Sequence, residues 1–489
     1  MDLKAKLARL SGRGLVSEPA YEPGPPAADL VDASAASPAA RGADGPDVGG
    51  DAAPDTRLAV LGRRLGSMRT QGRAISIPLT VPKPVGGAWL MGLQHTPAGP
   101  LCTVHHTHPK DFIQGRVPVG HCLRATAQHL QRLALDPTMA GVDPNRLLFV
   151  DTETTGLAGG SGTVPFLVGV AYFTAGRLLV EQWVLQRPGE EGPILQRLAA
   201  CLAVADAIVT YNGKSFDWPL LRSRFILNRV PMPQPLPHLD LLHCTRRVLR
   251  RRQTIGANGG RPSMRLVNVE RDLLGFCRIG DVPGAQIPEL YFSYLRSGGA
   301  HLLDPVLEHN RHDLVSLAAL LGLLVQRLDD VAAPNDDGDR LAMAELNVRG
   351  GATAQAMHFA EVAAKRGTAP IRVDACLLLA QLLVRQRRYA AAVLALRQAL
   401  APDDKGIAPA GSLLAPVHLA LSKLFEHRLH DLIRAQHHAQ YTAAAEGVEA
   451  QGRRLGRLAR RLTRPTPPRL RTVKASAATM THAAGSPEP

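Results

Sequence analysis

Residues 147–150, Leu-Leu-Phe-Val, run directly into Asp151, Thr152 and Glu153 and then into a glycine-rich loop, GLAGGSGT. The apolar run reads as a buried strand. Alternation along a strand sets Asp151 and Glu153 on one face, at its carboxyl end. Two carboxylates this close repel, and sheltering them from water is costly unless something positive lies against them. An arginine, a helix terminus or a metal ion meets that need, and hard oxygen ligands at a strand end suit Mg²⁺ or Mn²⁺. The loop lacks the lysine of a P-loop and does not read as a nucleotide cradle. Its glycines let a nucleic-acid strand approach the backbone closely, with a tight strand connection as the plainer alternative.

The surrounding pattern fixes the fold class. Residues 166–173 and 178–185 read as two further strands separated by the hairpin-sized turn AGR. Helical GPILQRLAACLAVA, the buried strand AIVTYN and helical DWPLLRSRFILNR follow. HLDLLHCTRRVLRRR starts near a strand end and becomes helical. Further helices fit RLVNVERDLLG, IPELYFSYLRSG and residues 304–328. Three early strands and then alternating α and β is the order of an α/β, RNase H-like fold, a mixed sheet flanked by helices.

Outside that region the composition changes. Residues 1–75 contain an Ala/Pro/Gly/Asp-rich stretch that cannot bury enough apolar surface to offset chain entropy, and read as disordered. Residues 76–145 read as accessory strands and a helix before the core domain at 146–328. The histidines of HHTH, 105–108, would alternate between strand faces rather than form a metal cluster. A linker near 329–338 leads to an all-α region at 339–450. There Ala380, Ala392, Leu396 and Ala399 match packing positions of a tetratricopeptide repeat, with a generic helical bundle as the alternative. Residues 451–489 read as a basic disordered tail.

The net charge of +15 points to a polyanionic partner, RNA or DNA. None of the six cysteines forms a CxxC pair, so neither a zinc ribbon nor a disulfide framework is signalled, and buried thiols in a reducing cytoplasm are expected. The start of the chain lacks the apolar core of a signal peptide, and the apolar runs are too short to span a bilayer. A cytoplasmic protein without a membrane anchor is the expectation.

If Asp151 and Glu153 are half of a metal site, the other half lies later in the chain. YNGKSFDWPLL places Asp217 at the start of a helix just after a buried strand. HNRHDLVSL places Asp313 on a helix with His309 four residues before it, on the same face. Asp313 can join the metals, and His309 can orient or deprotonate a water. Together DTETTG, NGKSFDxPLL and HNxxDLxSL resemble the three motifs of the DEDD (DnaQ-like) 3′→5′ exonuclease superfamily. DTETTGLAGGSGT, FLVG, HLDLLHxxRR and HNRHDLVSL are similar to its YprB-type RNase H-like family, which often carries TPR-like C-terminal helices. The resemblance covers residues 76–328. It implies hydrolysis of phosphodiesters in single-stranded nucleic acid with two divalent ions, Mg²⁺ or Mn²⁺, held by Asp151, Glu153, Asp217 and Asp313. The sequence departs from the family in one place: a Tyr four residues, or a His five residues, before the last acid is replaced by His309 at −4 and Glu308 at −5.

Around these acids, Thr154, Gly156, Asn212, Lys214, Ser215 and Phe216 are candidates for contact with nucleic acid. Arg247 and Arg251 in RRVLRRR are candidates for a phosphate-tracking surface, against a solvated helix face. Asp240 reads as either a fifth carboxylate or a helix N-cap. The alternative to a nuclease is a nucleic-acid-binding adaptor with a slow or inactive RNase H-like domain and a protein-binding helical C-terminus.

Overall fold

The computed structural model describes residues 86–156, 162–252, 263–402 and 409–463. The expected disorder at 1–75, the tail beyond 463 and residues 157–161 of the glycine-rich loop lie outside these residues. The described strands are β1 (Leu93–Thr96), β2 (Gly99–Pro109), β3 (Ile113–Gln114), β4 (Val117–Pro118), β5 (Leu147–Thr154), β6 (Pro165–Thr174), β7 (Arg177–Val184), β8 (Ala207–Thr210) and β9 (His238–Asp240). Seven of them form one sheet in the order β1-β2-β7-β6-β5-β8-β9, while β3 and β4 pair separately. The sheet is antiparallel from β1 to β5, and β5, β8 and β9 run parallel. The tight turn between β6 and β7 sits at Ala175 and Gly176, both at positive φ, as a two-residue hairpin loop requires. The segment before the core adds β1 and β2 to the free edge of β7. Along β2 His105 is exposed and His108 is buried against Phe112, so the histidine run does alternate.

The helices are α1 (Ala127–Ala134), α2 (Gly192–Val204), α3 (Asp217–Leu227), α4 (Leu241–Leu249), α5 (Leu266–Val269, running into a wide π turn at Glu270–Leu274), α6 (Ile287–Ser297) and α7 (Asp304–Asp329). They cover both faces of the sheet. Leu148, Val150, Val168, Val170 and Trp183 pack with Leu198 of α2, Phe225 of α3 and Tyr291 of α6. Leu147, Phe149, Ala171 and Val180 pack with Val248 of α4 and with Leu314, Leu317 and Leu321 of α7. Residues 317–325 of α7 are apolar all round because they are enclosed on every side. Its first half crosses the sheet above β6 at Gly169. A Cβ there would lie 2.1 Å from Asn310 Oδ1 and 2.8 Å from Leu314 Cδ1. Only glycine admits the helix this close.

The chain then becomes helical: α8 (Asp337–Arg349), α9 (Thr353–Arg366), α10 (Ala369–Arg385), α11 (Tyr389–Leu400), α12 (Gly411–Leu424), α13 (Leu432–Ala439), α14 (Ala443–Glu446) and α15 (Val448–Thr463). From α8 to α12 each helix packs against the next. Ala380, Ala392, Leu396 and Ala399 are buried between α10 and α11 and their neighbours. One apolar core runs from β5 through α7 into these helices as far as Leu458 of α15. Residues 451–463 thus correct the expectation of a disordered tail. Arg457 and Arg461 bond the fully buried carboxylate of Glu426 at 2.9 and 3.0 Å, so an arginine-rich segment gains a docked face. Among the described residues no helix is long and apolar enough to cross a membrane. All six cysteines are free; five are buried as expected, and Cys277 is exposed.

Candidate metal centre

Parallel strands bring their carboxyl ends to one edge of a sheet, and β5, β8 and β9 do so here. Asp151 and Glu153 stand at the end of β5. Residues 211–216 turn at the end of β8 and deliver Asp217 as the first residue of α3. Asn212 takes a left-handed φ of 65° in that turn. The turn is pinned from β9: Asp240 accepts the backbone N–H groups of Asn212 at 2.8 Å and Lys214 at 3.1 Å, and that of Leu242 at 3.0 Å. Asp240 is buried and fully used, so it is a helix cap and turn clamp rather than a fifth ligand.

The last acid comes from α7. Asp313 and His309 share its sheet-facing side with Asn310, whose amide donates to Asp151 Oδ2 at 2.8 Å and accepts from Gln182 Nε2 at 2.8 Å. Thr152 donates to Asp217 Oδ1. Asp313 Oδ1 accepts from Arg278, a guanidinium only 2% exposed, which also forks onto Glu270 at 2.6 and 2.8 Å and reaches Asp281 at 3.2 Å. His309 Nδ1 lies 2.7 Å from Asp281 Oδ1, and its Nε2 lies 3.9 Å from Glu153 Oε1 and 3.8 Å from Asp313 Oδ2.

The charges are unbalanced. Burial, followed by the charges of Asp313, Glu153 and Asp217, pushes the Asp151 carboxyl well above the usual range. Glu153 is pushed up by burial, Asp313 and Asp217, with Arg278 pulling the other way. Burial raises Asp217 to about 6 despite the Thr152 hydrogen bond. Glu153 and Asp313 keep 14% and 15% of their side-chain surface, so the group opens to solvent. Like charges gathered at a partly exposed sheet edge fit a divalent cation. Glu153, His309 and Asp313 offer donor atoms within 4.8 Å of one another.

Of the remaining candidates, Lys214, Ser215 and Phe216 are exposed on the turn leading into Asp217. Thr154 donates to the Gly156 carbonyl at 2.9 Å, where β5 ends in a register shift. Arg247 and Arg251 are not brought to the acids. Arg247 donates to the Leu133 carbonyl at 2.7 Å, and Arg251 pairs with Glu345 at 2.8 Å and Asp374 at 2.9 Å. Their guanidinium groups meet carbonyl and carboxylate partners, and Arg251 keeps 37% of its side-chain surface. Sequence reading missed Asn310, Arg278, Asp281 and Thr152. Thr152 lies between two motif acids on β5, and Asn310 follows His309 on α7, three residues before Asp313. Arg278 and Asp281 lie between helices with no periodic signal.

Residues 148–325 match the family model of the RNase H superfamily, and the mixed sheet flanked by helices is consistent with that fold. The uncharacterized protein YprB of Bacillus subtilis (strain 168) is 36% identical over 208 residues, 42% of this chain and 48% of the relative. The chain therefore spans about half the length of the curated relative it matches.

Proposed function

We propose that the chain is a metal-dependent nuclease, a 3′→5′ exonuclease of the DEDD type that hydrolyses single-stranded RNA or DNA by a two-metal mechanism. The observation carrying this reading is that Asp151, Glu153, Asp217 and Asp313 come from three separate elements into one mutually repelling, partly exposed group. A binding module gains nothing from such a cluster facing a polyanion. Two divalent ions, Mg²⁺ or Mn²⁺, would stabilise the attacking and leaving oxygens of the phosphodiester when bound. The protein supplies carboxylate oxygens fixed in place: Asn310 holds Asp151, Thr152 holds Asp217 and Arg278 holds one oxygen of Asp313. His309 faces the same space, as a base toward water or as a nitrogen donor. Lys214, Ser215 and Phe216 sit beside Asp217, where an incoming strand would pass. The succession of packed helices after residue 337 supports a TPR-like module that binds a protein partner.

The test is cleavage of 5′-labelled single-stranded RNA and DNA by the full chain with Mn²⁺, Mg²⁺ or EDTA, beside Asp151→Asn. A metal-dependent ladder that shortens from the 3′ end and is absent in the variant is expected. Binding without cleavage in any metal would replace the nuclease with the adaptor.

A further inference from the structure

Resting on that metal-dependent reading, we propose that His309 is itself a metal ligand. Glu153, His309 and Asp313 then form a mixed nitrogen–oxygen subsite that takes a first-row transition ion such as Mn²⁺ or Co²⁺ in preference to Mg²⁺. Asp281 and Arg278 are the positioning residues of that ligand.

The argument starts at Nδ1. Asp281 Oδ1 stands 2.7 Å away, and Arg278 approaches the same nitrogen at 3.4 Å. The two contacts require opposite tautomers, and the shorter one decides. A carboxylate only accepts, so Nδ1 carries the hydrogen and the lone pair resides on Nε2. At 3.8 and 3.9 Å, Nε2 is beyond hydrogen-bond reach of Asp313 and Glu153. Among the described residues it accepts no hydrogen bond, and these two are the carboxylates within 4.0 Å of it. Donors at these separations close on one ion at bonds of about 2.0–2.2 Å after shifts of a few tenths of an ångström. The i, i+4 spacing puts His309 and Asp313 on one face of α7, with Glu153 opposite on β5. A carboxylate on the far nitrogen of a ligating imidazole is the usual outer support of a metal-bound histidine.

The support is rigid. Asp281 is bonded at 3.2 Å to Arg278, and Arg278 is locked by its fork on Glu270, whose side chain is fully buried. Arg278 takes Asp313 Oδ1 and leaves Oδ2 on the His309 side. Imidazole favours transition ions, whereas Mg²⁺ prefers an all-oxygen octahedron and sheds water reluctantly. One nitrogen in the ligand set therefore shifts selectivity away from Mg²⁺.

The experiment is pulsed electron paramagnetic resonance of the full chain loaded with Mn²⁺, together with calorimetric titration of Mn²⁺ and Mg²⁺. Wild type is expected to show ¹⁴N modulation of the Mn²⁺ signal and tighter Mn²⁺ than Mg²⁺ binding. His309→Gln should keep an oxygen-bound Mn²⁺ signal and lose the nitrogen modulation. Asp281→Asn should weaken Mn²⁺ binding by roughly 10–100-fold, and Asp281→Glu should restore part of it. Bound Mn²⁺ without nitrogen modulation in wild type that still cleaves nucleic acid overturns the ligand role and leaves the nuclease reading standing. Absence of both Mn²⁺ binding and cleavage overturns the two together.

Discussion

Arg278 is the residue through which the acidic centre tolerates its own charge. Its guanidinium, 2% exposed, meets Glu270, Asp281 and Asp313, and removing it leaves three acids without their cation. Breaking a buried pair by deleting one partner costs about 3–5 kcal/mol. Arg278→Met is therefore expected to lose stability of that order in urea denaturation with EDTA present, and a loss under about 1 kcal/mol would remove Arg278 from this role. Asp217 gives a pH dependence of definite sign. Its folded pKa of about 6 lies above the ordinary 3.8, so the folded state holds the proton more tightly than the unfolded one. The metal-free protein then loses stability as pH rises through that window, and Asp151 and Glu153 act in the same direction. Metal-free Asp217→Asn should melt a few degrees above wild type near pH 7, and the gap should close toward about pH 4. A gap that widens in acid would contradict the raised pKa.

At the scale of elements, the approach of α7 to β6 sets the distance between the motif acids. Gly169 sits opposite Asp151 in the β5–β6 ladder and directly beneath Asn310. In Gly169→Ala the added methyl meets Asn310 Oδ1, so α7 must lift or the Asn310–Asp151 hydrogen bond must break. Overpacking of this kind costs about 1–3 kcal/mol, and Mn²⁺ affinity measured by titration should fall with it; unchanged affinity would mean that α7 does not set the site. The same element marks what was readable in the sequence. The strand run into Asp151, the turn before Asp217 and the i, i+4 pair His309 and Asp313 carry their periodicity on their face, so the fold class and the elements that hold the candidate acids were legible, while the strand order was not. Arg278 and Asp281 were not, because a coil residue acquires meaning only from what folds against it. Arg247 and Arg251 show the reciprocal limit. A basic run looks the same whatever its partners are, here the Leu133 carbonyl for Arg247 and the carboxylates of Glu345 and Asp374 for Arg251.

At the scale of the whole molecule, the RNase H-like region and the helices after it share material. The core that packs Leu147 and Phe149 of β5 continues through α7 to Leu341 of α8, Phe359 of α9 and Leu396 of α11. At the join, Asp339 is fully buried between Arg252, at 2.5 Å, and Arg327, at 3.2 Å. Arg250 and Arg251 both hold Glu345. Neither region closes its apolar surface alone, so the melting of one exposes the other. Scanning calorimetry of the full chain should therefore give one cooperative transition spanning both regions. Asp339→Ala sharpens the test, because it strands two buried guanidinium groups and should cost about 3–5 kcal/mol. If the regions are coupled, that variant lowers the whole transition as a unit; if they are independent, the heat splits into two peaks, of which only the helical one moves.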